Sequence, residues 1–171
     1  WLGASGTLHS ARLSVFGDDR TAGDVAHDNV YHYTDEVFTA LARDAARLTL
    51  VDDDGGEDWL DLAAMTGDVI LALDAGASSS ADGTVFLKLA DDTAIEAAIT
   101  GDGDDELTGN DHDNRLHGMR GDDHLDGGAG DDRLSGGAGR DSLTGGTGRD
   151  AFVFDVALAD AHADRITDFS A

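Results

Sequence analysis

A repeat of nine residues runs without a gap through residues 100–153 and limits what this chain can fold into. Its six units read TGDGDDELT, GNDHDNRLH, GMRGDDHLD, GGAGDDRLS, GGAGRDSLT and GGTGRDAFV. The eighth position is apolar in every unit, and the sixth position is Asp in five units and Asn114 in the second. A solvated linker rich in Asp and Gly is the alternative, but such a linker has no need of a periodic leucine.

The period indicates very short strands rather than helices. Nine residues are too few for a helical hairpin, and each of the 14 glycines in these 54 positions would cost a helix about 1 kcal/mol relative to alanine. The residues around position eight can form a strand that points one side chain inward, while the glycine-rich half supplies the positive φ of a tight turn. Successive turns then stack, so we expect an all-β fold built as a parallel coil.

The same spacing accounts for the acidic residues. If each unit is half a coil, units two apart lie over each other, and residues 18 positions apart share one edge. The position-six side chains then form two columns, one of Asp105, Asp123 and Asp141 and the other of Asn114, Asp132 and Asp150. A cation between two loops can take carboxylates from both and carbonyls from the glycine turns, which is the oxygen shell that Ca²⁺ prefers.

The charge of the chain restricts its partners. The 171 residues include 36 acidic and 11 basic side chains, for a formal charge of −25, which argues against nucleic acid and acidic membrane surfaces as partners. No apolar run is long enough for membrane insertion. Aspartate provides 32 of the acids, and this short carboxylate suits tight metal loops. Cysteine is absent, which excludes disulfides and zinc–thiolate sites.

The units resemble the RTX (repeats-in-toxin, or hemolysin-type) nonapeptide G-G-x-G-x-D-x-U-x, which binds calcium. The resemblance implies a parallel β-roll in which the position-six acids and the glycine-turn carbonyls are Ca²⁺ ligands. The implied ligands are Asp105, Asp123, Asp132, Asp141, Asp150, Gly128, Gly130, Gly137, Gly139, Gly146 and Gly148.

The second and third units depart from this pattern. His112 stands where glycine is expected and Asn114 where the acid should be, so we expect the site shared by residues 114 and 132 to be weak or empty. Met119 and Arg120 replace turn residues in the third unit. We therefore expect sites at this end to be weaker than those built from residues 127–150.

Segments outside the repeats resemble the C-terminal domain of serralysin-type (peptidase M10) metalloproteases. VDDDGGEDWLDLA at 51–63 reads as a decayed unit with Gly56, Asp58 and Leu60 at positions four, six and eight, so Asp58 is a further candidate ligand. DVILALDAG (68–76), TVFLKLADDTAIEAAITGDGDDELTGN (84–110) and AFVFDVALADAHADRITDFS (151–170) complete the order. The resemblance covers about residues 48–169 and implies strands flanking the roll.

The chain divides into five segments by this interpretation. Residues 1–20, with TLHSARLSVFGDD at 7–19, resemble the last strand of the β-sandwich P-domain that follows subtilisin-like proteases. Residues 21–47 form a connector, in which DEVFTALARDAARL (35–48) makes either a short helix or a strand plus linker. Flanking strands follow at 48–99, the six repeats at 100–153 and a C-terminal capping strand at 154–171. We expect a fragment of a longer protein, truncated before the family's secretion signal.

No catalytic centre is predicted. The sequence lacks H-E-x-x-H, and Ser5 and Ser78–Ser80 lack the frame of a serine protease. His112, His117 and His124 lie within 13 residues, but they fall at positions four, nine and seven, which do not converge. Exposed histidines are therefore preferred over a zinc triad.

These observations predict a non-catalytic module that Ca²⁺ folds, in a secreted, extracellular protein. The expected partners are calcium ions, an upstream catalytic or adhesive domain of the same chain, and the type I secretion machinery that the resemblance implies. The parent is predicted to be an extracellular protease. The alternative is a spacer in a bacterial surface or secreted adhesin, and the upstream sequence would distinguish the two.

Overall fold

A computed structural model describes residues 8–9, 28–38, 49–52, 55–154 and 163–169 of the chain. The described strands are β1 (Leu8–His9), β2 (Val30–Thr34), β3 (Thr49–Val51), β4 (Trp59–Ala64), β5 (Val69–Ala72), β6 (Ser78–Ala81), β7 (Thr84–Leu89), β8 (Ala97–Ile99), β9 (Glu106–Thr108), β10 (Arg115–Arg120), β11 (His124–Asp126), β12 (Arg133–Ala138), β13 (Ser142–Thr144), β14 (Ala151–Phe152) and β15 (Arg165–Ile166). Most of the predicted strand at 7–19 and of the segment 35–48 lies outside the described residues.

Two sheets enclose one core. The nine-stranded sheet has the order β1-β3-β7-β6-β5-β9-β11-β13-β15, and the six-stranded sheet has the order β14-β12-β10-β8-β4-β2. From β8 to β15, successive strands alternate between the sheets, and each pairs in parallel with the strand one coil away. This arrangement confirms the predicted all-β fold.

The register of the repeats is 18 residues per coil. Leu107 pairs with Leu125, which pairs with Leu143, and on the other sheet Leu116 pairs with Leu134. The half-coil prediction from the nine-residue period is thus confirmed. The strands of the two sheets differ in length, because β10 and β12 continue into the following unit through the pairs Met119↔Gly137 and Arg120↔Ala138.

An antiparallel insertion interrupts the coil ahead of the repeats. Strands β5, β6 and β7 form two antiparallel pairs, and Asp82 and Gly83 between β6 and β7 have φ values of 47° and 73°. Positive φ at both central residues is typical of the tight type I′ hairpin turn, for which Asp-Gly is a common sequence.

The core is thickest before the repeats. Its largest fully buried side chains are Phe86, Leu50, Leu60, Leu62, Met65, Leu71, Leu73, Leu87, Leu89, Ile95, Leu107 and Leu125. Tyr33 and Phe38 pack edge-on against Phe86 at ring-centroid distances of 5.6 and 6.3 Å. Within the repeats each half-coil adds one large apolar side chain, at position eight, so apolar burial per residue falls toward the C-terminus.

Candidate metal centre

The position-six side chains lie inside the coil, directly before each strand. Alternate residues of a strand point to the same face, so an inward leucine at position eight places position six inward as well. Asp105, Asp123, Asp132 and Asp141 are each no more than 2% exposed. Asp150, at the end of the array, is partly exposed.

One oxygen of each buried carboxylate accepts a hydrogen bond from the coil before it. The Asp105 N–H donates to Asp123 Oδ1 at 2.9 Å, and the Asp123 N–H donates to Asp141 Oδ1 at 3.0 Å. In the other column the Asp132 N–H donates to Asp150 Oδ1 at 3.1 Å. The predicted columns are therefore brought together by a ladder with a step of one coil.

The second oxygen of these carboxylates takes no part in the ladder. Oδ2 of Asp105, Asp123, Asp132 and Asp141 is buried without a hydrogen-bond partner in the described part of the chain. Burying an ionised oxygen without a partner is costly, and native proteins avoid it. At these four positions the described residues leave a buried carboxylate oxygen without a hydrogen-bond donor.

A position-one glycine opens the space that Oδ2 faces at Asp123, Asp132 and Asp141. A Cβ added to Gly127 would overlap Asp132 Oδ2 and would lie 2.7 Å from the carbonyl oxygen of Gly145. Gly118 is placed in the same way, between Asp123 Oδ2 and the carbonyl oxygen of Gly136 at 2.8 Å. Each gap is lined by one carboxylate oxygen and one carbonyl oxygen from the next coil, which is the donor set of a hard cation such as Ca²⁺.

The predicted turn glycines lie beside these gaps in left-handed conformations. Gly128, Gly137 and Gly146 at position two have φ values of 98°, 103° and 89°, and Gly130, Gly139 and Gly148 at position four have values of 117°, 156° and 141°. Met119 takes the position-two conformation without being glycine, at φ 76°. The role of the glycine carbonyls as ligands stays a prediction.

Burial disfavours the charge of these carboxylates. Desolvation, with the nearby carboxylates of Asp105 and Asp141 adding to it, raises the pKa of Asp123 to about 7. Desolvation likewise raises the pKa of Asp132 to about 6. The pKa values of Asp105 and Asp141 are raised for the same primary reason. A bound cation would reverse this effect, because it favours the ionised form.

Four of the five arginines of the repeats pair with acids outside this buried set. Arg149 Nε donates to Asp131 Oδ2 at 3.0 Å, and these hydrogen bonds lower the pKa of Asp131. The other exposed pairs are Arg115–Glu57, Arg120–Asp102 and Arg140–Asp122. The guanidinium groups thus offset charge on the outer surface of the coil.

The two remaining predicted ligands differ from the repeat acids. Asp58 is buried, its Oδ1 accepts the Asn29 N–H at 2.7 Å and its own N–H donates to Glu96 Oε2 at 3.0 Å, so hydrogen bonds of the same kind recur two coils before Asn114. Asn114 is also buried, but its amide nitrogen donates to the Glu96 carbonyl oxygen at 3.2 Å. The ladder of carboxylates on that edge is therefore interrupted at Asn114, whose Oδ1 accepts the Asn110 N–H of its own unit.

Sequence reasoning missed Asp164 and the position-one glycines. Asp164 Oδ1 accepts the Asp141 N–H at 3.1 Å, so this residue extends the column past the last repeat. The signal was present, since ADRIT at 163–167 matches the x-D-x-U-x half of the unit. Glycine occupies position one in five of the six units, and this regularity was the sequence signal for the glycine gaps.

No half-coil of the repeats contributes more than one of these buried carboxylates, so side chains alone do not form a cluster. Among the residues that the structure describes, no three His, Cys, Asp or Glu side chains are grouped to hold a metal ion. A cation here would draw the rest of its shell from backbone carbonyls. No helix in the described ranges is long and apolar enough to cross a membrane.

Comparison with known proteins agrees with this architecture. The family model described as peptidase M10 serralysin C terminal matches residues 21–171, which extends the predicted resemblance back to residue 21. No curated protein matches the chain significantly. Since the family match spans most of its length, the chain belongs to the serralysin C-terminal family, the non-catalytic C-terminal module of secreted peptidases of that type.

Proposed function

We propose that this module binds Ca²⁺ between successive coils of its repeats and that the ions complete its fold. The observation that carries the proposal is the set of four buried Oδ2 atoms that have no partner within the described ranges, of which those of Asp123 and Asp132 face a carbonyl oxygen across a glycine gap. The position-six acids, with Asp150 and Asp164 at the array's end, would hold the ions. A bound ion supplies the positive charge that lets buried carboxylates stay ionised.

Calcium would act on stability through its preference for the folded state. An ion that binds only the folded chain adds about 2.7 kcal/mol per site at a free concentration one hundred times its dissociation constant. Several such sites exceed the margin by which a small domain is folded. Neighbouring coils share interfaces, so the ions and the coils are expected to order cooperatively.

This dependence suits a protein that leaves the cell unfolded. In a calcium-poor cytosol, self-repulsion of a chain with a charge of −25 opposes compaction. Higher calcium outside then favours folding after export by type I secretion. The family match favours a peptidase over an adhesin as the parent protein.

The proposal is tested by calorimetric titration of the chain with CaCl₂. The double variant Asp132→Ala/Asp141→Ala removes two of the buried carboxylates that face a glycine gap. We therefore expect fewer bound ions and at least about tenfold weaker binding at the affected sites. Asp111→Ala is the control, because it removes an exposed carboxylate from the repeats without touching either column. Equal binding by the double variant and the control would overturn the ligand assignment.

A further inference from the structure

We propose that the side-chain amides of Asn110 and Asn114 hold the half-coil at residues 109–117 in place of a cation. This half-coil would then be the boundary between a part of the chain that folds without calcium and the later coils that require it. The inference rests on the proposed function, because it needs the later coils to bind calcium.

Both the oxygen and the nitrogen of the Asn114 side-chain amide form hydrogen bonds with protein groups. Its Oδ1 accepts the Asn110 N–H at 2.8 Å, and its Nδ2 donates to Asn110 Oδ1 at 3.1 Å and to the Glu96 carbonyl oxygen at 3.2 Å. Asp132, one coil later at the same position, uses only Oδ1 and leaves Oδ2 buried without a partner in the described residues. An amide can donate where a carboxylate can only accept.

Asn110 connects this turn to the strands before it. Its Nδ2 donates to the Leu73 carbonyl oxygen at 3.2 Å and to the Ile95 carbonyl oxygen at 2.9 Å. Its Oδ1 also accepts the His112 N–H at 3.0 Å. Leu73 follows β5 of the nine-stranded sheet and Ile95 precedes β8 of the six-stranded sheet, so one side chain joins the turn to both sheets.

No other repeat can make this network. Position two is Gly128, Gly137 or Gly146 in the last three units, Met119 in the third and Gly101 in the first. A glycine offers no side-chain donor or acceptor, and methionine offers none that replaces an amide. In the second unit, neutral hydrogen bonds from side-chain amides therefore hold the turn. In the other units, that task falls to the proposed ion.

The distribution of the core supports the same boundary. The large apolar side chains around Phe86 lie before residue 110, whereas each later half-coil contributes one leucine or phenylalanine. The backbone of β10 is tied to the earlier part, since the Arg115 N–H donates to the Glu96 carbonyl oxygen at 2.9 Å. The Arg133 N–H donates to the Asn114 carbonyl oxygen. Arg133 begins β12, which is the neighbour of β10 on the far side of the boundary.

Hydrogen exchange of the whole chain, followed by mass spectrometry in EDTA and in CaCl₂, tests the proposal. We expect the amides of β4, β8 and residues 115–117 to stay protected in EDTA, and those of β11–β14 to exchange at least about tenfold faster there than in calcium. Loss of protection at 115–117 together with β11–β14 in EDTA would overturn the inference and leave the proposed function standing. Full protection of every coil in EDTA would overturn the proposed function itself.

A reciprocal pair of variants separates the amide network from general stability. Asn114→Asp removes both donations from Nδ2 and sets a carboxylate against two acceptors, so protection of 115–117 in EDTA should fall to the level of β11. Asp132→Asn places the same amide beside Gly128, where no network can form, and should give no protection in EDTA. Unchanged protection in Asn114→Asp, or protection gained in Asp132→Asn, would contradict the proposal.

Discussion

At the scale of single residues, each buried aspartate of the repeats divides its two oxygens between two tasks. Oδ1 of Asp123 receives a backbone N–H from the previous coil, which fixes the side chain in place. Oδ2 is then presented to the glycine gap without a partner in the described residues. The ladder explains why aspartate is used here, because a short side chain reaches the neighbouring turn with few rotatable bonds.

The raised pKa values predict how the calcium-free chain responds to pH. The folded pKa of Asp123 is about 7 and that of Asp132 about 6, above the ordinary value of 3.8. A group with a raised folded pKa stabilises the fold below the unfolded pKa, and this contribution is lost as the pH rises through the folded value. In EDTA, lowering the pH from 8 to 5 should therefore shift the repeats toward the folded state, which far-UV circular dichroism would record as a larger β signal at pH 5.

The control for this prediction is the double variant Asp123→Asn/Asp132→Asn, which does not titrate at either position. Its β signal in EDTA should differ less between the two pH values than that of the natural chain. A natural chain whose β signal in EDTA is larger at pH 8 than at pH 5 would contradict the assignment of raised pKa values.

The sequence predicted the buried acids at residue scale but not the atoms that complete their surroundings. Asp105, Asp132 and Asp141 were identified because the period places an acid two residues before an inward leucine. The position-one glycines were missed because their role depends on a carbonyl oxygen 18 residues later, which only the stacked coil brings close. Asn110 was missed because its partners, Leu73 and Ile95, lie outside the repeats.

At the scale of elements, the turns set the spacing of the strands. Gly121 has a φ of 125°, and a Cβ there would overlap the carbonyl oxygen of Gly103 in the coil below. Neither the conformation nor the close approach is available to another residue. Stacking of this turn on the one below therefore requires glycine at residue 121.

Replacing Gly121 by alanine tests this close packing. The variant should lose more than about 2 kcal/mol, because a backbone clash adds to the roughly 1–2 kcal/mol of a left-handed conformation. Gly83→Ala is the matched control, since Gly83 has a φ of 73° but no atom of the described residues lies within 4 Å of an added Cβ. Urea unfolding of both variants in saturating calcium provides the measurement, and equal losses would mean that the close approach carries no cost.

The nine-residue period predicts the parallel register of the strands in the repeats. It carries no information about strands outside the repeats. An 18-residue step follows directly from nine-residue half-coils, and β9, β11 and β13 obey it. The antiparallel pairing of β5, β6 and β7 has no repeat to reveal it, although Asp82-Gly83 is a turn signal. The length of β10 and β12 was missed because pairing continues through glycines that read as turn residues.

At the scale of the whole molecule, two sources of stability follow one another along the chain. The part before residue 110 buries a core of large apolar side chains around Phe86. The repeats bury one apolar side chain per half-coil and four carboxylate oxygens without partners in the described residues. Apolar burial therefore stabilises the first part, and the proposed ions stabilise the second.

Far-UV circular dichroism of the chain during a calcium titration, with magnesium as the control, tests this account most directly. We predict a cooperative gain of β signal with Ca²⁺, above a smaller signal in EDTA from the part before residue 110. Mg²⁺ should be much less effective, because it demands a smaller octahedral shell than paired loops provide. A spectrum already complete in EDTA and unchanged by calcium would contradict the claim that calcium completes the fold.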